Sequence, residues 1–338
     1  MTTKKIGGRT LAFASPPSVL AAACVGGKKE GAGPLGNMFD TINDDAYFGE
    51  QTWEKAESAM QKLALDAALS KGSLSPSNID ALFAGDLLNQ CTGSSFAHRA
   101  GGIPYWGLFG ACSTMAETLS LGAAYIDGGY ASTVACVTSS HYCTAERQFR
   151  MPLEYGGQRT PTAQWTVTGS GAVILGDTGP GPYITHITPG KIVDAGISDA
   201  NNMGAAMAPA AYDTLAAHFG DLNITPDWYD LIVTGDLGAV GAQILTDFFS
   251  RDGIDFRGRY NDCGLMIYER PEQDPHAGGS GCGCSASVLA GRILPGIASG
   301  VWKRVLFAAT GAMLSAVSSQ QGESIPSICY AVALSNVK

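Results

Sequence analysis

The chain has 338 residues, a formal net charge of −9, 45% hydrophobic residues and only 15% charged ones. That balance fills a large core and leaves an acidic surface, which excludes nucleic acid and electrostatic adhesion to anionic lipid. The length fits two domains, or one large body of two similar halves.

From the N-terminus, the early basic pair Lys4-Lys5 and the small residues that follow raise the question of a signal peptide. Arg9 and the Pro16-Pro17 pair break that apolar region into short pieces, so none is expected. No uncharged run reaches the ~20 residues a membrane helix needs. The nine cysteines are odd in number, and several sit in apolar contexts such as Ala135-Cys136-Val137. Without a signal peptide they read as reduced thiols in the cytoplasm. Cys282-Gly-Cys284 is too tightly spaced for a zinc knuckle and has no second ligand pair nearby, so neither a metal nor a cofactor is expected.

An amphipathic stretch, Trp53–Lys71, predicts a helix, and the short apolar run Asp80-Ala-Leu-Phe-Ala-Gly-Asp-Leu-Leu88 after it predicts a strand. The pair recurs as Met203–His218 followed by Asp230-Leu-Ile-Val-Thr-Gly-Asp-Leu-Gly238. Gly110-Ala-Cys-Ser113 opens an apolar helical run, as Cys282-Gly-Cys-Ser285 does later. The apolar strand Thr133–Thr138 corresponds to Arg304–Ala309, and Gly171–Leu175 to Tyr330–Leu334. Four segments in the same order divide the chain into duplicated halves, 1–178 and 179–338. Strands alternating with helices predict a mostly parallel sheet covered on both faces. Two such halves give a five-layer α/β/α/β/α sandwich.

Cys112 lies at the start of a predicted helix after a small-residue turn, where free N–H groups and the positive dipole end favour thiolate. The bland alternative is a buried free cysteine, the commoner case. Cys284 starts the equivalent helix of the second half, so the two helix starts are expected to approach and share a pocket. Here the sequence resembles the thiolase superfamily over essentially its whole length, with Gly110-Ala-Cys112-Ser-Thr114 as the nucleophile segment. The resemblance implies a cysteine acylated by a thioester. It also implies a His after the first strand of the second half, and an Asn or His in a later Gly-rich loop. The sequence departs at both partner positions. The first falls on Gly235 beside Asp236, and the second on Cys282. The superfamily's C-terminal acid/base cysteine is also missing from Ala308-Ala-Thr-Gly-Ala312. One oxyanion donor contributes about 3–4 kcal/mol of barrier lowering and a general base about 10²–10⁴ in rate. Condensation is therefore not expected, and an acyltransferase acylated on Cys112 is the rival reading.

Longer strings narrow the resemblance. They are Gly85-Asp-Leu-Leu-Asn-Gln90, Ser139-Ser-His-Tyr-Cys-Thr-Ala-Glu-Arg-Gln-Phe-Arg150, Pro161–Gly169, Asn202–Pro209 and Gln320–Pro326. They are similar to a thiolase-like sporulation family of spore-forming Firmicutes. The resemblance implies binding of dipicolinic acid (pyridine-2,6-dicarboxylate) or its calcium chelate during uptake into the developing spore. It further implies work with other proteins of the same operon, peripherally at the cytoplasmic face of the spore inner membrane. A homodimer is implied too, paired near Thr133–Thr138. The candidate ligand-binding set is Cys112, Ser139, His141, Arg147, Gly235, Asp236, Cys282 and Cys284, with Arg150 as a further possible source of charge. His98 and Arg99 read as solvated, and Asp86 and Asp236 more readily as helix caps than as calcium ligands.

Overall fold

The computed structural model describes residues 4–149, 159–255, 257–270 and 272–338. Ten strands and five helices position the site. In chain order they are β1 (Ser18–Gly27), α1 (Trp53–Lys71), β2 (Ala81–Gly85), β3 (Tyr105–Leu108), α2 (Thr114–Asp127), β4 (Thr133–Ser140), β5 (Gly169–Gly176), β6 (Tyr183–Thr188), α3 (Met203–Leu222), β7 (Leu231–Thr234), α4 (Gly238–Arg251), β8 (Tyr260–Asp262), α5 (Cys282–Val288), β9 (Arg304–Ala312) and β10 (Ser327–Ser335). The strands lie in the order β3-β2-β4-β5-β1, and then β6-β10-β9-β7-β8. The two sets meet where Tyr183 of β6 pairs with Ser18 of β1.

The two sets repeat each other's pairing. β3-β2 and β2-β4 are parallel while β4-β5 and β5-β1 are antiparallel. β8-β7 and β7-β9 are parallel while β9-β10 and β10-β6 are antiparallel. The sheets are therefore mixed, not mostly parallel as the strand–helix alternation suggests. The reason lies in two connections. β4 ends at Ser140 opposite Gly169, where β5 begins, and β9 ends at Ala312 opposite Ser327, where β10 begins. Each connection starts and finishes at one end of the sheet, so the chain must come back antiparallel.

The duplication extends to single hydrogen bonds. Helix α1 is followed by a turn that starts Ser75-Pro76, and α3 by one that starts Thr225-Pro226. Asp80 then accepts the Ser132 and Thr133 N–H groups at 2.8 and 3.0 Å. Asp230 accepts those of Lys303 and Arg304 at 2.7 and 3.0 Å. In both halves an aspartate ahead of the repeated strand ties in the start of its neighbour.

Helix α1 is capped by Thr52 and lays Ala56, Met60, Ala64 and Ala68 on the outer face of the first sheet. Helix α3 is capped by Asn202 and, with α4, covers the outer face of the second. Between the sheets lie α2 and α5, buried among Met115, Leu119, Val173, Ala286, Leu289, Phe307 and Val332. Layers this close need glycine. A side chain on Gly171 would strike the Ala286 carbonyl, and one on Gly283 the Gly169 carbonyl and Ser140 Oγ.

Two expectations need correction. Residues 18–27, read only as part of a failed leader, form the interior strand β1. β4 carries Thr133–Thr138 and is hydrogen-bonded to β2 on one side and β5 on the other, so it cannot pair two copies. Among these ten strands the sheet edges are β3 and β8.

Candidate functional site

Cys112 is held in a single tight turn, Ala111–Ser113, between β3 and α2. Ala111 adopts φ +50°, a left-handed conformation costly for a residue with a Cβ. Side-chain hydroxyls hold the turn closed. Ser113 Oγ donates to Gly110 O at 2.6 Å, and Thr114 Oγ1 donates to Ala111 O at 2.6 Å. Gly311 of β9 lies against the Gly110 carbonyl, leaving no room there for a side chain. The second sheet thus supports the turn from below.

Above the thiol opens a narrow cleft with about 440 Å³ of empty space, mouth included. Leu87, Phe109, Phe149, Met203 and Leu314 form most of its walls, with Thr166, Ser280 and Glu146 as polar members. No lysine or arginine is among its described lining residues.

Asp236 is buried behind Ser280. Its carboxylate accepts the Gly281 N–H at 2.8 Å and the Ser280 and Thr310 hydroxyls at 3.1 Å each. Burial outweighs these bonds and pushes its carboxyl up to about 7. Asp262 stands nearby, accepting Thr234 Oγ1 at 2.7 Å and the Leu237 and Gly238 N–H groups at 2.8 and 3.0 Å. Its negative charge raises Asp236 further. Cys112 Sγ lies 4.0 Å from Ser280 Oγ. Burial first, and the Asp236 carboxylate second, push the thiol well above its ordinary value. The thiolate expected at a helix start therefore does not form: the dipole contributes tenths to about 2 kcal/mol, less than burial next to a carboxylate costs.

The positions of the absent partners are closed. A Cβ on Gly235 would lie 3.0 Å from Ala309 Cα and 3.2 Å from its Cβ, leaving no space for an imidazole. Cys282 is fully buried and donates its thiol to Ser139 O at 2.9 Å, so it is already engaged. Cys284 does not form the facing wall. It points into the core between the sheets, and the facing wall is Ser280 with Thr166.

Other expected residues lie off the cleft. Ser139 Oγ donates to Glu57 Oε1 at 3.1 Å and accepts from Gln61 Nε2 at 2.9 Å, inside a buried network under α1. His141 is buried with Nε2 2.8 Å from Ala46 O, and its pKa is lowered by burial. Arg147 is on the exposed side of its helix, paired with Glu54 and 5.3 Å over the Trp53 ring. Arg150 lies outside the described residues. His98 is half-buried, 2.9 Å from Gln61 Oε1, whereas Arg99 sits over Phe96 on the surface. Asp86 accepts Leu88 N, Ser94 N and Ser94 Oγ at 2.8, 2.7 and 2.6 Å, which is capping duty.

Sequence reasoning missed Ser280, Thr310 and Gln164. Gln164 Nε2 donates to Asp236 O at 2.7 Å and Gly279 O at 3.0 Å, locking the aspartate to the Gly-rich loop. Thr310 and Gln164 lie in segments already singled out, and Ser280 just before Cys282, but only their convergence on Asp236 gives them a role.

A family model described as stage V sporulation protein AD matches residues 7–335. Stage V sporulation protein AD of Bacillus subtilis (strain 168) is 47% identical over 329 residues, covering 97% of both chains. Among solved structures, 3-oxoacyl-[acyl-carrier-protein] synthase III of Aquifex aeolicus VF5 is similar at 13% identity and TM-score 0.57, over 94% of this chain and 99% of that one. A Xanthomonas campestris OleA variant is similar at 13% identity and TM-score 0.61, over 96% and 99%. Such identities carry the fold, which is that of the thiolase-like condensing enzymes.

Proposed function

The chain belongs to the stage V sporulation protein AD family, and from that premise we propose that it is a non-catalytic, thiolase-like binding protein for dipicolinic acid in spore formation. One observation carries the non-catalytic part. Cys112 is a buried thiol facing the Asp236 carboxylate, with no imidazole at Gly235 and with Cys282 tied to Ser139 O. A nucleophile needs a base or a lowered pKa, and this one has the opposite environment.

The cleft's chemistry bears on which form of the ligand enters. Free dipicolinate is a dianion at neutral pH, and moving it among apolar walls beside Asp236 without a cation is costly. The 1:1 calcium chelate has no net charge and a flat aromatic ring that Phe109 and Phe149 can flank. The chelate is the ligand this cleft accepts more readily. No helix of the described residues is long and apolar enough to cross a membrane. Attachment at the cytoplasmic face of the spore inner membrane would then run through membrane-embedded products of the same operon. The homodimer would form along the exposed edge β3.

Calorimetric titration with dipicolinate, with and without Ca²⁺, tests the reading. Saturable heat that is stronger with Ca²⁺, and lost in an Ala145→Phe variant that fills the cleft, is expected. No heat at millimolar ligand would end it. A stable acyl adduct on Cys112 after incubation with acetyl-CoA would restore the acyltransferase alternative.

A further inference from the structure

The two halves differ in the helix that follows the repeated strand. After β7 comes α4, 14 residues from Gly238 to Arg251, and after β2 only the 7 residues Thr92–His98. Each packs on the outer helix of its half. Gly241 of α4 lies against Gly204 of α3, and Ser58 Oγ of α1 donates to Gly93 O at 2.8 Å. The extra turns of α4 cover α3. Phe248 and Phe249 bring their rings to 5.4 and 5.0 Å from that of Tyr212, and Tyr212 donates its hydroxyl to Asp252 at 2.5 Å.

Thr52 and Asn202 cap α1 and α3, and Ser75-Pro76 and Thr225-Pro226 follow them, so the two helices align without a gap. Lys62 then stands where α3 has Tyr212. The short helix stops at His98, and the chain turns away at Gly102, φ +67°, toward β3. The place that Phe248 and Phe249 take in the second half is left open. It is a groove with about 990 Å³ of empty space, mouth included, more than twice that over Cys112.

The groove combines an apolar floor with cations. Ala59, Phe96 and Ala97 line it, and Phe96 is 56% exposed. Lys55, Ala59 and Lys62 form one stripe of α1 at i, i+4 and i+7. Across from them the Arg99 guanidinium lies 5.3 Å from the Phe96 ring. Lys55 and Arg99 enter no ion pair among the described residues. Lys62 pairs with Asp66 one turn on, but both are exposed, so a partner can exchange that contact at little cost. Of the lining acids, Glu54 is taken by Arg147 and Glu50 lies ahead of α1.

We propose that this groove docks an acidic amphipathic helix of a partner protein. Its large apolar side chain would seat on Ala59 and Phe96, and its carboxylates would meet Lys55, Lys62 and Arg99. The site lies on the outer face of α1, away from Cys112, and the proposal stands whatever the cleft binds. The second half supplies the template for the occupant: a helix end with an aromatic pair, followed by an aspartate on the residue equivalent to Lys62. With an ammonium in place of the tyrosine hydroxyl, that aspartate would form a charge-assisted bond. Lys55 and Lys62 are two turns apart, about 10 Å along the axis, which suits a helix and exceeds the reach of one small dianion.

The probe is a fluorescein-labelled peptide of residues 238–252 carrying Arg251→Glu, titrated with the full chain and read by fluorescence anisotropy. Its control is the same peptide with Asp247→Lys and Asp252→Lys in place of Arg251→Glu. Saturable binding of the acidic peptide alone is expected, weakened at least about tenfold by Lys62→Glu and by Phe96→Asp. Both residues are exposed, so the variants should melt as the wild type does. Binding should also weaken as salt is raised from about 50 to about 500 mM. No anisotropy change at protein concentrations up to about 0.3 mM, on the order of −5 kcal/mol, would overturn the proposal. So would equal binding of the control peptide, or binding that ignores Phe96→Asp. Self-association of the wild type that is lost in Lys62→Glu would assign the groove to a second copy instead. Sedimentation with anionic phospholipid vesicles that is lost in Lys62→Glu, without peptide binding, would assign it to a lipid surface.

Discussion

Replacing Asp236 by asparagine isolates the feature that separates this site from a reactive one. The variant keeps nearly the same shape and can still accept the Gly281 N–H, but carries no charge. Two unit charges about 4 Å apart interact by about 4 kcal/mol at an effective dielectric of ~20, equivalent to about 3 pKa units. Loss of the carboxylate should therefore raise the Cys112 thiolate population at fixed alkaline pH by up to ~10³-fold. Part of that gain is offset, because a less basic thiolate is a poorer nucleophile with a Brønsted slope of about 0.4–0.5. The net increase in alkylation rate is then about 30–60-fold. Iodoacetamide labelling at pH about 8.5, followed by peptide mass mapping of Cys112 with the Cys282 peptide as internal control, measures it. A rate within about threefold of wild type would mean that burial alone governs the thiol, and that Asp236 does not guard it. The same substitution has a stability signature. Burial raises Asp236 from 3.8 to about 7, so the folded state loses stability as pH rises through that interval. The loss reaches about 4 kcal/mol at most, at about 1.4 kcal/mol per unit. Thermal melts at pH about 5 and about 8 should diverge less in Asp236→Asn than in wild type.

Two further substitutions test the packing and the placement of charge. Gly283→Ala forces a Cβ into the Gly169 carbonyl and Ser140 Oγ, so it should lower stability by about 3 kcal/mol or more in urea unfolding, or prevent folding. Arg147→Ala removes an exposed ion pair with Glu54, so it should cost less than about 1 kcal/mol and leave dipicolinate titration unchanged. A large loss of ligand affinity in that variant would place the ligand outside the Cys112 cleft.

The duplication was legible because it is written in local pattern. Apolar runs ending in Gly-Asp-Leu recur after helical stretches, and the structure places β2 and β7 on them with α1 running from Trp53 to Lys71 as expected. β1 and β3 were not legible. Ser-Val-Leu-Ala-Ala-Ala-Cys-Val-Gly-Gly has no alternation, because both faces of β1 are covered and small residues let the layers approach. Tyr-Trp-Gly-Leu is only four residues long and is a strand because β2 offers it an edge.

The sequence by itself determined the thiolase-like halves, the turn that presents Cys112, and the absence of an imidazole at Gly235 and of an amide at Cys282. Only the tertiary structure decided what that cysteine is. Its charge state depends on burial and on groups far away in the chain: Ser280, 168 residues on, and Asp236 behind it. Local spacing predicts a helix start that favours thiolate. Desolvation and a through-space carboxylate outweigh it, and neither is a property of any short segment.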